Sequence, residues 1–317
     1  VVGRVVLHGD DLGLSRAVTD GILRGFAEGL LTSTSLLANA PDASRALDGW
    51  KQLEAARAAG RLPSAAARQS LDDPRRAFDL GLHLNLTQGR PLTGRAYPAE
   101  LLDSAGRFLG PARLMWRLVR HGRSVLAGVK EELRRQAQFV LDHGLQPTHV
   151  NGHQYVEMMP GVAELIPELL AEFGIGVARV ALEPRLVQST LVRRFSPKRF
   201  VLGQVKRAFA RRFRRRLEGQ PIASAKAFFG TVHAGCIDLE RIGVFLQPPA
   251  AAEVVEIGLH PAEVAPPTTG GVMADGWHDP LAAQRPGELQ LLLSGELQQY
   301  LGTCGYRLGR LGELGAR

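Results

Sequence analysis

Apolar positions along the chain fall into two alternating patterns: short continuous runs, and longer stretches at helical spacing. Residues 4–8 read as a buried strand. Ser15 is placed to cap a helix running to about Glu28, in which Val18, Ile22, Leu23 and Phe26 recur at helical spacing. A second strand is predicted over 32–37, broken by Asn39-Ala40-Pro41, and a helix over 43–59. A third strand, 78–86, surrounds His83, while 60–77 and 89–110 read as irregular connections. A helix over 131–143 ends at Gly144 as its C-cap. Strand 147–150 leads into Asn151-Gly152-His153. A helix over 162–173, strands at 177–182 and 253–259, a last helix over about 286–304 and a short strand at 306–308 complete the pattern.

Strands alternating with helices predict a mainly parallel sheet. This number of units favours an incomplete or distorted (β/α) barrel, with residues 1–317 as a single α/β domain. In such folds functional groups sit on the loops at the C-terminal ends of the strands.

On that plan, Asp10 and Asp11 follow the first strand, His83 lies in the third, His153 follows the fourth and His260 follows a late one. Four separate strand ends thus deliver an Asp or a His to one face. Two imidazoles and a carboxylate suit a divalent ion that keeps a position open for water. Such an ion polarises a carbonyl and makes water easier to deprotonate. A second carboxylate can then take the proton, and another His can protonate a leaving amine. Each residue alone also has a structural reading: Asp-Asp as a solvated loop or helix cap, His83 as a core histidine between Leu82 and Leu84. His149, inside its strand, reads as structural.

These residues lie in four blocks: Gly9-Asp10-Asp11-Leu12-Gly13-Leu14-Ser15, Gly81-Leu82-His83-Leu84-Asn85-Leu86-Thr87, Pro147-Thr148-His149-Val150-Asn151-Gly152-His153-Gln154, and Glu256-Ile257-Gly258-Leu259-His260-Pro261 with Arg285 and Glu288 beyond. In that order they resemble the YdjC-like carbohydrate deacetylases, whose branches include chitooligosaccharide and hopanoid-pathway enzymes. The resemblance implies a metal-dependent hydrolase that removes the acetyl group of an N-acetylglucosamine-type sugar, free, oligomeric or lipid-linked. It implies Asp11, His83 and His153 as ligands of one divalent ion (zinc or magnesium), Asp10 as general base and His260 as general acid. Tyr155 stands where the family usually has a second His, and Glu157 where another often sits, which turns this position toward shaping the substrate pocket. Tyr155, Asn151 and Arg179 are the candidate substrate contacts, with a surface Arg as the other reading of Arg179. A different amidase or esterase on the same metal site, and a catalytically lapsed carbohydrate- or lipid-binding protein, remain open alternatives.

Charge and composition modify this picture in one place. Apolar content of 45% and charged content of 22% are those of an ordinary globular protein. The net charge of +8 comes from one segment: residues 193–216 hold eleven Lys/Arg and no Asp or Glu, and outside it 28 basic residues face 31 acidic ones. Within it Val201, Val205, Phe209, Phe213 and Leu217 recur every fourth residue, an amphipathic helical insertion at about 193–217. Three readings fit: a helix packing its stripe on the barrel, peripheral contact of residues 200–217 with an anionic membrane, or nucleic acid, against which the lack of any base-reading or stacking motif argues. Cys236 and Cys304 have no CxxC partner and are expected to be buried and reduced. Neither a secretory signal nor an apolar run of bilayer length is visible, so a cytoplasmic location with peripheral membrane contact is the expectation.

Overall fold

The computed structural model describes residues 3–63, 78–184, 197–246, 254–265 and 271–315. Its strands are β1 (Gly3–Leu12), β2 (Ser33–Leu36), β3 (Asp79–Leu84), β4 (Val150–Gly152), β5 (Ala227–Phe229), β6 (Val254–Leu259) and β7 (Tyr306–Leu308). They form one parallel sheet in the order β4-β3-β2-β1-β6-β5, with β7 also pairing with β1. The sheet curls into a partial barrel. Isolated bridges Val150–Ala178 and Val177–Ala223 narrow the opening between β4 and β5.

The α-helices among the described residues are α1 (Arg16–Ala27), α2 (Ala43–Ala58), α3 (Pro111–His121), α4 (Leu126–Asp142), α5 (Ile166–Glu172), α6 (Pro197–Leu217), α7 (Leu239–Phe245), α8 (Arg285–Leu293), α9 (Gly295–Thr303) and the single turn α10 (Gly312–Gly315). Ser15 caps α1 by accepting from the Val18 N–H, and Val18, Ile22 and Phe26 bury its inner face. Every residue of β3 and β6 is buried, because helices and loops cover both faces of a parallel sheet.

Several expectations change. Residues 177–182 contribute single bridges, not a strand. The last helix is two, because Ser294 leaves helical geometry (φ −77°, ψ 135°) and caps α9 through the Leu297 N–H. Helix α3 has no counterpart in the sequence reading. The helix expected over 131–143 begins earlier, at Leu126, and that expected over 162–173 shortens to Ile166–Glu172. Cys236 and Cys304 are unpaired, as expected, but half-buried. The basic segment is helical from Pro197, residues 193–196 lying outside the described residues. Its apolar stripe divides: Phe213 and Leu217 enter the core, whereas Val201 and Val205 are exposed. No helix among the described residues is long and apolar enough to cross a membrane.

Candidate active site

Strand β1 runs further than its sequence suggests, and Asp10 and Asp11 lie within it. In a regular strand two successive side chains point to opposite faces. Here the pairing with β2 slips between Gly9 and Leu12, and Asp11 takes φ 70°. This bulge turns both carboxylates into one cavity, at the modest cost that Asp bears in the left-handed region.

That cavity, of about 490 Å³, has Asp10, Asp11, His83, His153, His260 and Arg285 among its lining residues. Asp11 Oδ1 lies 2.9 Å from His153 Nδ1 and 3.3 Å from His83 Nε2. One ligand atom from each of these three buried residues lies within 4.8 Å of the others. His83 Nδ1 lies 2.7 Å from Asn151 Oδ1. As that carbonyl can only accept, it fixes a proton on Nδ1 and aims Nε2 at Asp11, where it can hydrogen-bond to the carboxylate or, deprotonated, offer its lone pair to an ion. His153 Nε2 is buried with no hydrogen-bond partner among the described residues. An orphaned imidazole nitrogen, an oriented one and a carboxylate are the donor set of a divalent-metal site, so the residues fit the ion that the sequence implies.

The two aspartates are held separately. Asp10 receives both Arg179 Nη1 (2.7 Å, Oδ2) and Nη2 (2.9 Å, Oδ1), and Asn151 Nδ2 at 3.0 Å. Asp11 Oδ2 accepts from Arg285 Nη2 at 2.7 Å. Burial alone would raise both carboxyls. Arg179 and the neighbouring histidines outweigh it for Asp10, and Arg285 and His153 for Asp11, so both lie well below the usual carboxylate range. Burial likewise depresses His83, but hydrogen bonding to Asp11 and the charge of Asp10 reverse the balance and raise it. His260 Nε2 lies 3.9 Å from Asp10 Oδ2, beyond direct hydrogen bonding. Burial pushes its imidazole down to about 4 against the pull of Asp11 and Asp10. Glu288 accepts the His260 backbone N–H and fixes the loop after β6.

Two expected substrate contacts, Arg179 and Asn151, have their polar groups engaged with neighbouring side chains. Arg179 is not a surface residue: it is 1% exposed, bound to Asp10 and to Glu256 at 2.7 Å, with its guanidinium 4.6 Å from the Phe228 ring centre. Asn151 is fully buried between His83 and Asp10. Tyr155 does line the cavity, held with Gln154 in left-handed geometry (φ 65° and 54°) and covered by Lys206 of α6, whose ammonium lies 4.3 Å from the ring centre.

Sequence reasoning missed the support behind Asp10. His8 Nδ1 lies 2.9 Å from Asp10 Oδ1, and His8 Nε2 lies 2.8 Å from His149 Nε2, whose Nδ1 meets Thr148 Oγ1 at 2.9 Å. His149 sits over Gly81, where any Cβ would collide with its ring. This explains the glycine two residues before His83, and it leaves His149 fully buried behind the site.

Glu157 is buried against Gly152, and its two oxygens accept no hydrogen bond from another described residue. Burial pushes it up to about 8. The native state therefore keeps a proton that the unfolded chain releases near its ordinary value of 4.5, and stability falls as pH rises from there to about 8. In chelated, metal-free protein, Glu157→Gln is expected to remove a slope of about 1.4 kcal/mol per pH unit across this range. Denaturant unfolding between about pH 5 and pH 8 checks it. Equal slopes in both proteins would mean that Glu157 is ionised in the fold.

Comparison with known proteins agrees with this geometry. A family profile described as YdjC-like protein matches residues 4–303. Carbohydrate deacetylases from Danio rerio (32% identical over 185 residues, 58% of this chain and 51% of the relative) and Mus musculus (34% over 182 residues, 57% and 51%) are similar. One from Clostridium beijerinckii is 27% identical over 177 residues, 56% of this chain and 60% of the relative. The matched region thus spans about half the length of the mammalian and fish relatives. A solved structure described as a candidate cellobiose-phosphate cleavage protein from Enterococcus faecalis V583 shares the fold, with TM-score 0.70, 18% identity and 99% of both chains covered.

Proposed function

The chain belongs to the YdjC-like protein family, and from that premise we propose that it hydrolyses the N-acetyl group of an N-acetylglucosamine-type sugar. The observation that carries this reading is the placement of Asp10 and His260 across a 3.9 Å gap, directly beside the Asp11-His83-His153 triad in one cavity. Carbohydrate deacetylases among the similar proteins support the same reaction class.

Asp11, His83 and His153 would hold a divalent ion, zinc or magnesium, which when bound supplies Lewis acidity to the acetyl carbonyl and to the attacking water. Asp10 is ionised, and the Arg179 fork fixes its plane, so Oδ2 can accept a proton from that water while oxygen attacks the carbonyl carbon. His260 is neutral at rest. It serves as a relay and not as a pre-charged acid: once the 3.9 Å gap closes to hydrogen-bonding distance it takes up the proton delivered to Asp10 and gives it to the sugar nitrogen as the C–N bond breaks. One water is consumed, and acetate and a free amine leave. Tyr155 and Lys206 form the cavity wall that would meet the sugar.

The test is acetate release from a panel of N-acetylglucosamine compounds, free, oligomeric and lipid-linked, with and without chelator. Chelator-sensitive release is expected. Metal-replete protein that releases no acetate from any of them would overturn the proposal.

A further inference from the structure

Exposed apolar side chains cluster on two helices. Among the described residues, Trp116 and Val119 of α3 and Val201, Leu202 and Val205 of α6 are 47–71% exposed. The opposite face of α3 is anchored by buried Leu114 and Leu118, whereas α6 is anchored at its C-terminal end, where Ala210, Phe213 and Leu217 are buried, and leaves the N-terminal part of its apolar stripe outside. On α3 the outward apolar residues are therefore separate from the core face, and on α6 they continue the core stripe past the end of the core. The two helices share surroundings at both ends. Pro111, which begins α3, lines the active-site cavity together with Leu202 and Lys206 of α6. Leu118 and Val119 of α3 line a second depression with Arg212 of α6. The exposed patch thus runs along one side of the protein, beginning at the mouth of the cavity.

Its charge is predominantly positive. Residues 104–130 carry six Lys/Arg and no Asp or Glu, a second segment comparable with 193–216. Arg113, Arg120 and Arg123 are exposed, as are Arg211, Arg212, Arg215 and Arg216. The guanidinium carbons of Arg117 and Arg120 lie 5.4 and 5.8 Å from the Trp116 ring centre. Glu164 is the acid set among these cations, and it is paired with Arg216 at 2.6 Å.

We propose that α3 and α6 together form a docking face for an anionic lipid bilayer, which brings the cavity mouth to the membrane surface and its reaction to sugars carried on a lipid anchor. Nucleic acid would meet the arginines but leave the five apolar side chains in water. A bilayer interface takes both, the arginines at the headgroups and Trp116 with the aliphatic residues at the acyl boundary. Contact is peripheral, since no described helix can span. The choice of a lipid-linked substrate rests on the deacetylase reading, whereas the docking itself does not.

Vesicle flotation of the full chain separates the two. Binding to phosphatidylcholine vesicles containing about 30 mol% phosphatidylglycerol is expected to be at least about tenfold tighter than to neutral ones, and to weaken as salt rises from about 0.1 to about 0.5 M. Trp50 and Trp277 are buried, so a blue shift of tryptophan emission on binding reports Trp116. Trp116→Ser with Val119→Ser is expected to cut vesicle binding about tenfold or more while leaving acetate release from a water-soluble substrate unchanged. No preference for anionic vesicles, binding without a Trp116 shift, or equal binding by the double variant would overturn the docking face. So would a preference for duplex DNA over vesicles. Vesicle binding with no acetate release from any substrate would keep the face and remove the deacetylase.

Discussion

Asp10→Asn is expected to lower acetate release about 1000-fold at unchanged metal content. A positioned general base contributes on the order of 100- to 10,000-fold, and the amide that replaces the carboxylate cannot accept the proton from water. The metal site should survive, because Asp11, His83 and His153 are not altered and Asp11 has its own cation in Arg285. Stability should not escape. Arg179 is fully buried and keeps Glu256 as its counter-ion, so the variant loses the charge-assisted fork to Asp10 and not the charge balance, at a cost of about 2 kcal/mol. Activity should be measured below the lowered melting temperature, with metal content determined on the same sample. Full activity in a metal-loaded variant would remove Asp10 from the role of base.

His83→Ala is expected to abolish both activity and tight metal binding, with a loss of affinity of at least about 100-fold. The comparison that gives this meaning is Asn151→Ala. Asn151 is not one of the three grouped ligand residues but orients His83 through Nδ1 and Asp10 through its amide. Its removal should weaken binding by about 10- to 100-fold, and excess metal should restore part of the activity. Titration with zinc and magnesium, read by calorimetry, distinguishes the two variants. If His83→Ala kept wild-type affinity, the ion would have to be held by other residues. If Asn151→Ala equalled His83→Ala, orientation of the imidazole would matter as much as its presence.

The strands and the principal site residues were legible because they share one cause. A buried parallel strand reads as an apolar run, and whatever polar residue ends it stands at the active face. Asp10, Asp11, His83, His153 and His260 all announce themselves in that way. Their supports do not. Arg179, Arg285 and His8 reach the aspartates from elsewhere in the fold or from within an apolar run, so nothing local separates Arg179 from a surface arginine. The bulge at Asp11 is equally silent, since Asp is common in strand-end loops. Helix α3 escaped detection because its inward face rests mainly on Leu114 and Leu118, while Trp116 and Val119 obscure the period. The break at Ser294 depends on one hydroxyl capping α9 within an otherwise helical run.

The two arginine clamps on the neighbouring aspartates bear on electroneutrality. Arg179 joins Asp10 to Glu256, and Arg285 joins Asp11 to Asp279. Four formal carboxylates around two guanidinium groups leave the buried network short of two positive charges, with the histidines counted as neutral. An interior that excludes water amplifies any such imbalance. A monovalent ion beside Asp11 would leave the network under-compensated and a trivalent ion would overshoot it. A doubly charged ion at the Asp11-His83-His153 group would therefore balance the protein's own salt bridges, whichever doubly charged element ligand geometry then favours.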